Sequence, residues 1–193
     1  MKKLIASIIA LIVTTVAVFS AQTVAYFSDG ADIRPVVTLT GANLSGELIE
    51  TTASATGGEP IVGPAPLRIR PGATVQKSVA VKNTGDLEMY LRLTVDKEFV
   101  LSAAYEDEPV DLDLVYFEVN DAYWAEEDGY YYYRKPLAHG QTTEPLFSEV
   151  SFSGEMGNVY TNSTITLCVT AYAVQVNGNG TCVFDAQGWP DEQ

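Results

Sequence analysis

The sequence predicts an all-β protein, a two-sheet antiparallel sandwich behind an N-terminal signal-peptide helix. Three observations carry that expectation. Hydrophobic alternation with period two recurs through the chain, turn-forming clusters punctuate it at short intervals, and the helical period of 3.6 is hard to find beyond the first residues. Met89 to Asp96 is the clearest run: Met89, Leu91, Leu93 and Val95 are apolar, whereas Tyr90, Arg92, Thr94 and Asp96 are amphipathic or polar. That is the pattern of a strand with one face in the core and one in water.

The other elements follow from the same reasoning. Val75, Val79 and Val81 alternate in the same way with Lys77 as the exception, and Asn83-Thr84-Gly85-Asp86 supplies turn chemistry that would join this run to the next as a hairpin. Leu67 and Ile69 read as inward residues of a short strand, with Arg68 and Arg70 outward and Pro71-Gly72 ending it. Leu114 to Val119 and Tyr130 to Arg134 suggest a further hairpin, with Asp128-Gly129 near the turn. Leu146 to Phe152 and Thr164 to Val176 complete the later strands, and Val36 to Thr40 makes a short early one. A helix is the alternative at Asp96 to Tyr105, where Phe99, Val100 and Ala103 can share a face. Residues 51–66 are rich in Thr, Gly, Pro and Ala and read as a flexible surface loop. With 193 residues, 47% of them hydrophobic, the chain suits one core and one domain, residues 26–193, behind a leader of residues 1–25.

The leader begins with Met1-Lys2-Lys3 and an apolar run from Leu4 to Ala21. Left uncut, the run would anchor the chain in a membrane; the small residues of Thr23-Val24-Ala25 and the polar turn starting at Tyr26-Phe27-Ser28-Asp29 favour cleavage after Ala25. The membrane is then a partner only before cleavage, and the mature protein is secreted. Loss of Lys2 and Lys3 takes the net charge from −14 to −16, with 9 basic residues against 25 acidic ones. A surface so acidic disfavours nucleic acid, whose binding depends on clustered Lys and Arg.

Side chains suited to chemistry are few. His139 is the one histidine, in a turn-like Pro136-Leu137-Ala138-His139-Gly140, with no HExxH pattern around it. Glu106-Asp107-Glu108 with Asp111 and Asp113 lacks the glycine of a calcium loop, so it reads as a solvated face. The chain is therefore expected to hold no metal or cofactor and to catalyse no reaction. Cys168 and Cys182 are the two cysteines, and export permits a disulfide between them. A tight turn at Asn177-Gly178 or Asn179-Gly180 would set Cys182 opposite Ala173 or Asn177, so a bond to Cys168 needs a wider loop. The run Tyr130, Tyr131, Tyr132, Tyr133 would send alternate rings to opposite faces of a strand. Its outer rings then either form an interface with a sugar or a neighbouring subunit or are shielded by other parts of the domain.

Several segments together resemble the TasA/camelysin (CalY)-like family of Gram-positive biofilm-matrix proteins. Thr23-Val24-Ala25-Tyr26-Phe27-Ser28-Asp29 is similar to the Ala-Tyr-Phe-Ser-Asp junction of signals cut by the SipW-type peptidase. Arg70-Pro71-Gly72, Val81 to Asp86, Gly129 to Lys135, Thr143 to Phe147 and Ala171 to Gln175 extend the likeness over most of the chain. The resemblance implies a jelly-roll domain, localisation in the extracellular matrix or at the cell surface, and self-association or association with other matrix proteins as fibre or fibre accessory. It also implies an N-terminal donor strand, here residues 26–40, although Pro35 would shorten that strand or delay its start. The alternative is a monomeric surface module that binds a carbohydrate or protein ligand and forms no fibres.

Overall fold

The computed structural model describes residues 31–39, 44, 46–52, 61–62 and 71–190. Ten strands form two five-stranded sheets, and among the described residues the helical content is three short 3-10 turns. In chain order the strands are β1 (Ala31–Leu39), β2 (Gly46–Thr52), β3 (Ile61–Val62), β4 (Thr74–Asn83), β5 (Met89–Val100), β6 (Val115–Tyr116), β7 (Trp124–Glu127), β8 (Tyr130–Tyr133), β9 (Glu149–Phe152) and β10 (Thr164–Gln175). One sheet runs β1-β10-β5-β8-β7 and the other β3-β2-β4-β9-β6. All pairings are antiparallel except that of β1 with β10.

Period-two alternation decides which residues meet between the sheets. Met89, Leu91 and Leu93 of β5 and Ile165, Leu167, Val169, Ala171 and Ala173 of β10 pack against Val79 and Val81 of β4 and Val150 and Phe152 of β9 in one buried cluster. Lys77 keeps the inward phase of β4 and is buried, so its break in the apolar pattern does not break the strand.

The turn at Asn83-Thr84-Gly85-Asp86 corrects the hairpin expectation, because β4 and β5 lie in opposite sheets and the turn is an arch between them. Asn83 closes it. Its side-chain amide donates to the carbonyls of Leu87 and Leu137, both at 2.8 Å, and its carbonyl oxygen accepts the Gly85 amide at 2.9 Å. Main-chain bonds to Gln141 and Gly140 complete the residue's pairing, which is what full burial of an amide demands.

Other boundaries shift for equally local reasons. The helix considered at Asp96–Tyr105 is instead the end of β5, which runs on to Val100 because β10 supplies a partner as far as Thr164. Asp128-Gly129 does make a two-residue hairpin, with φ of 50° and 80°, but it joins β8 to β7. Both central residues need positive φ in such a turn, which Asp tolerates and Gly favours. The 114–119 segment instead supplies β6, which pairs with β9. Within 51–66, Thr51 and Thr52 end β2, and the β-branched pair Ile61–Val62 forms β3 against them. Leu67 and Ile69 lie outside the described residues.

Candidate assembly interface

β1 is held by strand pairing on one side alone. Its nine residues pair in parallel with β10, from Ala31 opposite Ile165 to Leu39 opposite Ala173, and it forms the edge of its sheet. A parallel neighbour cannot be reached through a tight turn, so this seam joins segments remote in sequence. From Leu39 the chain crosses to the other sheet and enters β2 at Gly46, with Leu44 on the way packed into the core. The strand starts at Ala31 and runs through Pro35, so the proline neither shortens it nor delays its start. An edge strand pairs on one side, where a missing N–H is tolerated.

The tyrosine run of β8 divides as alternation requires. Tyr131 and Tyr133 face the core: Tyr131 packs on Phe117 with ring centroids 6.0 Å apart, and Tyr133 on the fully buried Trp124 at 5.0 Å. The Tyr133 hydroxyl donates to the Glu144 carboxylate, and the Trp124 indole N–H donates to the Glu144 carbonyl at 3.0 Å. Burial, reinforced by the Glu144 carboxylate, pushes the Tyr133 phenol up to about 12. The same hydrogen bond holds the Glu144 carboxyl below its usual value. Burial also raises the Tyr131 phenol, with the Glu126 charge adding to it.

Tyr130 and Tyr132 face outward and build a second cluster around Arg92. The guanidinium carbon of Arg92 lies 3.6 Å from the ring centre of Tyr130, 4.7 Å from that of Trp189 and 5.4 Å from that of Tyr172. An Arg92 terminal N–H reaches the Tyr132 hydroxyl at 3.4 Å, while its Nε is buried without a hydrogen-bond partner. Tyr132 also meets Phe184 and Trp189 at 5.5 and 6.0 Å. Val183 and Ala186 close over Tyr90 and Val174 on the same face. Asn179 fastens the C-terminal segment by accepting the Gln187 amide at 2.8 Å and donating to its carbonyl at 2.9 Å. The outward tyrosines are thus half-buried beneath the chain's own C-terminal segment. Sequence reading missed Trp189; the available signal was a lone tryptophan after Gly188, beyond the last strand.

The remaining predicted positions do not converge. Thr23, Ala25, Tyr26, Phe27, Ser28 and Asp29 lie outside the described residues, as does the 26–30 part of the donor segment. Cys168 and Cys182 are free thiols. Cys168 stands mid-strand between Arg34 of β1 and Asp96 of β5, whereas Cys182 lies past the Asn177–Gly180 turn and donates to Asp185 at 3.3 Å. His139 is exposed, with a ring nitrogen 2.6 Å from the Gly85 carbonyl. Glu106, Asp107, Glu108, Asp111 and Asp113 are exposed, and Asp111 accepts the Asp113 amide to start a 3-10 turn at Leu112–Leu114. Among the described residues no three His, Cys, Asp or Glu side chains gather as a metal site would require.

Fold and seam together define a class: a two-sheet β protein whose first described strand is an edge strand paired to the last. No protein-family model, curated protein or solved structure matches the chain.

Proposed function

We propose that this chain is a secreted structural protein of the extracellular matrix, a jelly-roll subunit or accessory of fibres of the kind the TasA/camelysin resemblance implies. It leaves the cell behind a leader cut after Ala25 by a SipW-type peptidase and associates with its own copies or with other matrix proteins by strand addition. The observation that supports this reading is the seam of β1. An N-terminal strand paired to one neighbour, in parallel and with no hairpin tying it there, can be supplied by another copy with the same register. Withdrawal of β1 uncovers the β10 edge, and an uncovered edge is a template for pairing.

The register supplies a direct test. Arg34 stands opposite Cys168, and parallel neighbours lie about 4.8 Å apart, within the span a disulfide bridges. In an Arg34→Cys, Cys182→Ser protein starting at Tyr26, oxidation of assembled material is expected to give a ladder of covalent oligomers on a non-reducing gel. Filaments should be visible by electron microscopy and should disappear when residues 26–40 are deleted. A cross-link confined to monomers, or filaments that survive the deletion, would refute strand exchange.

A further inference from the structure

The second sheet ends on β6, two residues long and paired only with β9. The Ser153 amide donates to the Leu114 carbonyl at 2.8 Å, which fixes the phase of this edge. Backbone groups of Leu114 and Tyr116 turn toward β9, so those of Val115 and Phe117 turn away from the sheet. Beyond Tyr116 the two segments part. They rejoin at Asn120, whose amide donates to the Leu146 carbonyl at 2.8 Å and whose side chain donates to the Pro145 carbonyl at 3.2 Å. A cavity of about 180 Å³ opens in between, lined by Tyr116, Phe117, Glu118, Ser148, Glu149 and Ser151. A second of about 360 Å³ shares Glu118 and Ser148 and reaches Asp121.

The side chains along this edge are unusual for a protein surface. Tyr116, Leu112 and Val110 are 50%, 43% and 38% exposed, three of the five large apolar side chains most open to solvent among the described residues. Carboxylates flank them: Glu118, Glu149 and Asp121 around the cavities, Asp111 and Asp113 just upstream. An open strand edge takes an extended segment, apolar side chains along it take apolar neighbours, and an acidic rim takes Lys or Arg.

We propose that the β6 edge is a docking strip for an extended peptide segment of a partner protein in which basic and apolar residues alternate. Its backbone pairs with Val115 and Phe117, its apolar side chains cover Tyr116 and Leu112, and its basic side chains enter the slots beside Glu118 and Glu149. Charge selects the partner. A second copy of this chain, with 25 acidic residues against 11 basic ones, brings mostly like charge to the rim. The strip lies on the opposite sheet from the β1–β10 seam, so it stands or falls independently of strand exchange.

The test uses the purified protein and a labelled seven-residue peptide alternating Lys and Val, read by fluorescence anisotropy. Binding is expected to saturate, and Glu118→Lys with Glu149→Lys should weaken it by about tenfold or more, whereas the same charge change at Glu126→Lys with Glu127→Lys should cost less than about twofold. Methylating alternate backbone nitrogens of the peptide should weaken binding by a similar factor, because the pairing uses its N–H groups. Equal weakening by both charge variants would overturn the proposal, as would equal affinity for a Glu-Val peptide or no saturation below about 1 mM. Self-association of the unmodified protein that the Glu118→Lys, Glu149→Lys change abolishes would also overturn it, by making a second copy the occupant.

Discussion

β1 and β8 flank the same central pair, β10 and β5, yet they are held there by different means. β8 pairs on both sides, is tied to β7 by a two-residue turn, sends two rings into the core and has its outward pair under the C-terminal segment. β1 has one pairing partner and no turn that fixes its register locally. Side-chain burial and short-range closure make β8 a permanent part of the sheet, whereas β1 rests on a long-range seam that another copy can duplicate. Sheet membership alone is therefore a poor guide to which strand can be exchanged.

The largest expected effect probes the permanent side. Trp124→Ala removes a fully buried indole and its bond to Glu144, and should lower unfolding free energy by about 3–5 kcal/mol in urea titration. Deleting residues 26–40 should abolish assembly while leaving a cooperative transition and the far-ultraviolet signature of strands. If that deletion unfolds the protein as fully as Trp124→Ala destabilises it, the contrast between the two strands is lost.

Asn83→Ala comes next. The change strands the Gly85 amide and the carbonyls of Leu87 and Leu137 inside the arch, at a cost of about 2–3 kcal/mol by the same measurement. It sharpens the contrast because Leu137, just beyond β8, returns a main-chain pair of bonds to Met89 and so ties the β8 side to the start of β5.

The aromatic clasp should be worth less. Trp189→Ala removes one of the rings packed on Arg92, for about 1–2 kcal/mol, and should expose the segment after Val176 to limited proteolysis well before the sheets open. The chain has two tryptophans, so Trp124→Phe leaves Trp189 as the sole indole reporter of the clasp. If proteolysis of that segment is unchanged in Trp189→Ala, the outward tyrosines of β8 owe their cover to something other than this ring.

Alternation carried most of the fold into the sequence. It identified β4, β5 and β10 and the inward set Met89, Leu91 and Leu93, because a half-buried strand leaves that signature in every second residue. Partner choice was not legible. Asn83-Thr84-Gly85-Asp86 has the residues of a hairpin turn, and only the burial of Asn83 between Leu87 and Leu137 makes it an arch. β3 was invisible because two residues have no period. At the seam, the sequence offered an N-terminal apolar stretch but no register, since parallel pairing between segments more than a hundred residues apart leaves no local mark. The clasp around Arg92 was hidden for the same reason: its rings come from β8, β10 and the C-terminal segment.

The smallest effect lies in the Tyr133–Glu144 bond, and pH separates it from packing. The folded state holds the Glu144 carboxyl below its ordinary 4.5, so its contribution is complete above that pH and is lost as the pH falls below it. Tyr133 behaves oppositely: raised from 10.0 to about 12, it contributes fully below pH 10 and loses that contribution as the pH climbs toward 12. Solvent around Glu144 screens the pair, which keeps the acid-side contribution under about 1 kcal/mol. Tyr133→Phe preserves the ring on Trp124 and deletes the hydroxyl. Urea midpoints at about pH 3, 7 and 11 should therefore vary less in the variant than in the parent at both extremes. Parallel curves for the two proteins would mean that Tyr133 anchors β8 through its ring alone.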